Sequence, residues 1–179
     1  MALTATIYNF EIDLADADRR VYESLALRVA RHPSESEEFL ATRILAYALE
    51  FREGIAFSPG LSDPDEPAIS IRDMTGAIQS WIDIGTPDAA RLHKASKAAP
   101  RVAVYTHKDP EQLAGRLSGG RIHRAEELEL YAVDRRLVGD LAARLDRRTA
   151  FGLSISGGDL YISLGRDTLT GSVARRRIR

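Results

Sequence analysis

The residues in this chain that could do chemistry are a scatter of acids and one lysine. Glu35 and Glu37 stand near the start of an apolar helix pattern. Asp63, Asp65, Glu66 and Asp73 flank a short apolar strand pattern. Asp83 ends the next one, in "WIDIG", on the same face as Trp81, where an acid needs a reason to be. Lys94 follows in "RLHKA", with Lys97 one turn beyond it. Together with Lys108 they are the only three lysines; arginine supplies the rest of the positive side-chain charge. A lysine ammonium is a compact point charge with an adjustable pKa, unlike the planar, permanently charged guanidinium. Clustered carboxylates suit a hard divalent cation such as Mg²⁺, which takes oxygen ligands together with waters and substrate phosphates. Such an ion activates water and stabilises charge on a phosphoryl oxygen. An ammonium beside it would orient that water or stabilise the developing charge. The parts needed for metal-assisted phosphodiester hydrolysis are therefore present in the sequence.

Each part also has a plainer explanation. Ser34 and Glu37 have the spacing of a capping box, and Glu35 suits the positive end of a helix. Acids are ordinary in a loop such as "FSPGLSDPDEP". Lys94 and Lys97 with His93 would also make an exposed helical face. His93, His107 and His123 lack metal-ligand spacing and read as surface or capped histidines.

The elements that must position these residues follow from periodicity. Tyr8, Phe10, Ile12 and Leu14 alternate with polar residues, which predicts a strand over 3–14. Val21, Leu25 and Val29 predict a helix over 18–31, stopped by Pro33. A second helix is expected to about Arg52, with Leu40, Ile44, Tyr47, Ala48 and Phe51 inward. Strands are expected at 68–72 and 77–84, joined by a turn at Met74–Gly76. Thr86 and Pro87 predict the start of a helix running to about Ala98. A buried strand at 102–105 follows, then a helix capped by Asp109 and Pro110, a strand at 127–133 and a helix through Leu137, Val138, Leu141 and Leu145. A hairpin closes the pattern, 151–155 and 160–164 about the turn "SGGD". The basic end "ARRRIR" reads as a solvated tail, or else as a phosphate-binding arm.

This mixture predicts an α/β (mixed α+β) fold with a central mixed sheet flanked by helices. The length of 179 residues suits one domain over 1–179. A net charge of −1 excludes a bulk cationic field, so any nucleic-acid contact must come from a local patch. The absence of cysteine excludes disulfides, thiolate metal sites and thiol catalysis. No apolar run nears the roughly 20 residues of a membrane span, and a cytoplasmic protein is expected.

"MALTATIY", "ARHPSESE" (30–37), "LSDPDEP" (61–67), "WIDIGTPDAARLHKA" (81–95) and "RVAVYTH" together resemble the YaeQ family of bacterial proteins, in order and over nearly the whole chain. The resemblance implies a fold similar to the PD-(D/E)XK, restriction-endonuclease-like nucleases, whose αββαβ core matches the element order at 35–106. It implies Glu37 or Glu35 as the helix acid, Glu66 or Asp65 as the first-strand acid and Asp83 as the second. The chain departs from the nuclease pattern after Asp83: Ile84 and Gly85 leave the lysine slot empty, and Lys94 would supply that ammonium from the following helix. The expectation is a nuclease-like protein acting on DNA or RNA with Mg²⁺ or Mn²⁺. Asp83, Glu66, Asp65 and Glu35 are its candidate metal ligands, and Lys94, Asp83, Glu66 and Glu37 its candidate catalytic groups. The alternatives are a nuclease fold that only binds nucleic acid or a transcription-related partner, and an interaction module whose acids are structural.

Overall fold

The computed structural model describes residues 4–58 and 64–178. Among these residues are ten strands, four α-helices and a short 3-10 helix, a mixed α+β architecture. The chain divides into two compact units: Met1–Ala41 with Val133–Val173, and Thr42–Ala132 with Ala174–Arg179. Asp63 lies outside the described residues.

In the first unit, β1 (Thr6–Asp16) pairs antiparallel with β2 (Val21–Arg31) and parallel with β8 (Arg148–Ser156). The β9 strand (Asp159–Leu164) joins β8 and β10 (Asp167–Arg176) in antiparallel pairs, the last three residues of β10 belonging to the second unit. Strict alternation puts Phe10, Ile12, Leu14, Leu25, Leu27, Val29, Phe151, Leu153, Leu160 and Ile162 in the core. The helix α4 (Arg135–Ala142) adds Leu137, Val138 and Leu141, with Asp134 as its N-cap. β10 meets α4 at Gly171, where an added Cβ would fall 2.7 Å from Leu137 Cβ.

The expected helix over 18–31 is a strand. Val21, Leu25 and Val29 have helical spacing, but Leu25, Leu27 and Val29 also alternate, and it is these three that are buried. Pairing with β1 across eleven registered positions decides between the two periods, and Arg20 turns the chain at φ +59°. The expected cap at Ser34 also moves. Ser36 Oγ accepts from Phe39 N at 3.0 Å, so α1 runs Glu37–Glu50 and Glu37 opens the helix instead of closing a capping box. Ser34 Oγ instead meets His32 Nδ1 at 2.6 Å.

The second unit holds β3 (Ile55–Phe57), β4 (Ile69–Arg72), β5 (Ile78–Ile84), β6 (Arg101–Thr106) and β7 (Glu129–Val133). The first three pair antiparallel as neighbours, whereas β5–β6 and β6–β7 are parallel. Two helices supply the crossovers: α2 (Ala89–Ala98) and α3 (Pro110–Ser118). Trp81, Val102, Val104 and Leu130 pack with Leu92, Ala95, Leu113 and Leu117 of these helices in one apolar cluster. α2 begins two residues later than expected, because Asp88, not Thr86, accepts from Arg91 N at 2.8 Å. The Asp109–Pro110 start of α3 is as expected. The basic end is no loose tail: β10 includes Arg175 and Arg176, and Ile178 packs against the apolar cluster.

Candidate functional site

The geometry around Asp83 begins with how β5 ends. Gly85, at φ +88°, donates to Tyr105 O at 2.8 Å and turns the chain toward α2. That leaves Asp83, only 2% exposed, facing the first turn of the helix. Arg91 meets it there as a two-pronged partner: Nε donates to Oδ2 at 2.7 Å and Nη2 to Oδ1 at 3.0 Å. The same guanidinium donates to Pro64 O at 3.2 Å and Glu66 O at 2.8 Å, and lies 5.6 Å from the Trp81 ring centroid. Charge-assisted forked pairs of this kind are the strong hydrogen bonds of proteins. Arg91 therefore ties the 64–66 segment to the end of β5.

The other expected residues gather around this clamp. Lys94, one turn past Arg91, pairs with Asp65, both side chains being more than half exposed. The Glu66 carboxylate lies 3.8 Å from Arg72 Nη2. Asp65, Glu66, Asp83 and Lys94 are thus brought together. Asp73 sits instead at the β4–β5 turn, where Thr75 Oγ1, Thr75 N, Ala77 N and Gln79 Nε2 donate to it. The Thr75 hydroxyl above all, aided by Ala77 N, Thr75 N and Gln79, holds its carboxyl below the usual aspartate range against the opposing effect of desolvation. Glu35 and Glu37 belong to the first unit; Glu37 is exposed, and Glu35 O accepts from Arg31 Nε at 3.1 Å.

Mg²⁺ would have to compete with cations already seated on these acids. Asp83, Asp65 and Glu66 each have a cationic side chain against them, and no three acids or histidines among the described residues converge closely enough to hold a metal ion. An ion on Asp83 would require Arg91 to leave both carboxylate oxygens. The residues as arranged do not fit the ion.

Two features escape a reading of the sequence. Arg91 is one; its signal is a buried strand acid that needs a neutralising residue, here one helical turn ahead of Lys94. The other is a polar network of the second unit. Arg101 donates from Nε and Nη2 to Glu129, at 2.8 and 3.0 Å, and from Nη1 and Nη2 to Glu50, at 2.6 and 3.0 Å. Tyr105, stacked on Tyr131 at 4.8 Å, donates to Glu50, and Tyr131 donates to Glu129. Burial alone would raise the Glu129 carboxyl, but Arg101 and Tyr131 outweigh it and hold the group below the usual glutamate range. Burial, then Glu129, pushes the Tyr131 phenol up to about 12. No sequence signal links Glu50, Arg101 and Glu129, which meet only through the register of β6 and β7.

Beside the clamp, the exposed face of α2 is basic. Lys97 is exposed there, and His93 Nδ1 accepts from His123 N at 3.0 Å, with the rings edge-on at 6.4 Å. Desolvation, then the fields of Lys97, Arg121 and His123, lower the proton affinity of His93. Arg124, at φ +51°, reaches back to Ser96 O at 2.6 Å and Ala99 O at 3.0 Å, covering carbonyls at the end of the helix. His107, expected at the surface, is buried at 3% exposure with Nδ1 3.1 Å from Thr42 Oγ1.

The YaeQ protein family model matches residues 1–173. The chain belongs to the YaeQ family. The uncharacterised protein YaeQ of Salmonella typhi is 32% identical over 170 residues, covering 94% of each chain, and that of Escherichia coli K12 is 31% identical with the same coverage. The crystal structure of the YaeQ protein from Xanthomonas axonopodis pv. citri superposes with a TM-score of 0.86 at 30% identity, over 97% of this chain and 99% of that one. The YaeQ protein from Pseudomonas syringae gives 0.87 at 32%, over 96% and 95%. The YaeQ fold is thus shared over the length of both chains. No helix among the described residues is long and apolar enough to cross a membrane.

Proposed function

We propose that this YaeQ-family chain is a nucleic-acid-binding protein of nuclease-like build that contacts phosphates through the basic face of α2. The observation that carries this reading is the local gathering of Lys97 and Arg121 around His93, whose Nδ1 accepts from His123 N, in a chain of net charge −1. A patch of this kind concentrates positive potential without a basic surface overall. Asp83, in this reading, aims Arg91 and holds the 64–66 segment so that Lys94 and Lys97 sit on one ordered helix. Anisotropy titrations of labelled single- and double-stranded DNA and RNA over a salt series test it. Binding should weaken with salt, and Lys97→Glu with Arg121→Glu should lower the log–log slope by about 0.7–0.9 for each phosphate no longer neutralised. Binding that ignores both charge reversals would refute the reading.

Metal-dependent hydrolysis of a phosphodiester is the second reading, favoured by the meeting of Asp65, Glu66, Asp83 and Lys94 around one strand end. Mg²⁺ or Mn²⁺ would supply a Lewis acid there only once Arg91 has left the Asp83 carboxylate. Calorimetric titration with Mn²⁺, beside Asp83→Asn, separates the two. Micromolar binding abolished in the variant would move the assignment to the enzyme.

A further inference from the structure

A cavity of the second unit has none of Asp83, Arg91 or Lys94 in its lining. It measures about 730 Å³ and is bounded by Ala125, Glu126, Leu128, Arg175, Arg176, Arg177 and Ile178. This is the size of a small-molecule site, which typically spans about 300–1,000 Å³. Its walls are of two kinds. The short 3-10 helix Ala125–Glu127 and Leu128 give an apolar side continuous with the core, to which Ile178 adds from the end of the chain. The other side is three successive arginines. Arg176 is drawn toward Glu111, at 3.7 Å, and Arg175 exerts its field on Glu129. Arg177 makes no hydrogen bond or ion pair among the described residues. Three guanidinium groups face one acid in the lining, Glu126. Guanidinium forks match phosphate oxygens in geometry as well as charge. Arg175 and Arg176 end β10, and Val173 N, just ahead of them, donates to Gly158 O at 2.9 Å.

We infer that this cavity binds a nucleotide, its phosphate on Arg175 and Arg177 and its base against Leu128 and Ile178. Glu126 at the rim can accept from an exocyclic amine. The site is separate from the α2 face, and the inference stands without the nucleic-acid reading. A nucleotide reaches such a cavity either free or as the 5′-phosphorylated end of a strand, and the two share the chemistry read here.

Calorimetric titration of the full chain with AMP, adenosine, inorganic phosphate and pentaadenylate, with and without a 5′-phosphate, tests this. AMP or the 5′-phosphorylated pentamer should bind at least tenfold tighter than adenosine or phosphate alone. AMP binding as tightly as the pentamer assigns the free nucleotide; binding confined to the phosphorylated pentamer assigns the strand end. Arg175→Ala with Arg177→Ala should weaken that binding at least tenfold. Both arginines are exposed, so an unaltered melting temperature is expected, and Arg177→Lys serves as a milder variant losing only part of the affinity. Affinity for AMP and the phosphorylated pentamer no better than for phosphate, or unmoved by the double substitution, would overturn the inference.

Discussion

Arg101→Met tests whether the network of Glu50, Arg101 and Glu129 is held by charge or by packing. The Arg101 side chain is 30% exposed, against 9% for Glu50 and 17% for Glu129. Methionine keeps much of the apolar stem and removes the charge, leaving two carboxylates in partly buried positions. Removing one partner of a buried pair costs about 3–5 kcal/mol, and the water that reaches Arg101 argues for the lower end, about 3 kcal/mol. That is a large share of the roughly 5–15 kcal/mol of a typical domain. The assay is urea unfolding of the parent, Arg101→Met and Arg101→Met/Glu50→Gln, at neutral pH and near pH 4.5. In the parent the folded-state pKa of Glu129 is depressed, so its contribution is present above the unfolded pKa and lost as pH falls through the folded value. In the variant, burial without a cation raises the carboxyl pKa, so acid relieves the folded state. The gap between parent and variant therefore closes as pH falls, and Glu50→Gln recovers about 1 kcal/mol or more at neutral pH. A gap that is equal at both pH values and untouched by Glu50→Gln would refute the electrostatic account.

Asp83→Asn keeps the shape of the Arg91 clamp but removes the charge assistance, and should cost about 1.5–3 kcal/mol in urea unfolding while speeding amide exchange in residues 64–66. Gly171→Ala places a methyl 2.7 Å from Leu137 Cβ and 3.0 Å from Asp134 Cβ, so a loss of about 1–3 kcal/mol and a lower melting temperature are expected. The Tyr131 phenol should ionise near 12 by ultraviolet titration. As its folded pKa is raised, its stabilising contribution is whole below the unfolded value and is lost as pH rises through the folded one.

How much is readable in the sequence depends on the range of the forces involved. Alternation in β1 and the Asp109–Pro110 start of α3 are local and legible. The second strand is misread because 21, 25 and 29 satisfy the helical period, and only pairing along β1 selects the other one. β10 carries a single buried large apolar residue in its first half, Leu169, so its sequence shows no clear alternation. Asp83 stands out because a carboxylate on an apolar strand must be neutralised, and the convergence of Asp65, Glu66 and Lys94 upon it is found in the structure. The neutralising group is not legible: with so many arginines present, no single one is marked until the helix start at Asp88 fixes which face Arg91 occupies.

The parallel pairing of β1 with β8 bears on the order in which the chain acquires its structure during synthesis. Arg147 Nε reaches Ile7 O across 140 positions, and Asn9 pairs with Arg148. The β1–β2 hairpin is made more than a hundred residues before its inner neighbour, β8. At a ribosomal rate of about 5–20 residues per second, the apolar face of that hairpin waits several seconds or more for β8. Residues 42–132, by contrast, form one continuous stretch that holds all of the second unit except Ala174–Arg179. Nascent chains stalled once residue 132 has cleared the ribosome should therefore contain a largely formed, protease-resistant second unit and an unclosed hairpin, a species in which a chaperone would find Phe10, Ile12 and Leu14 uncovered.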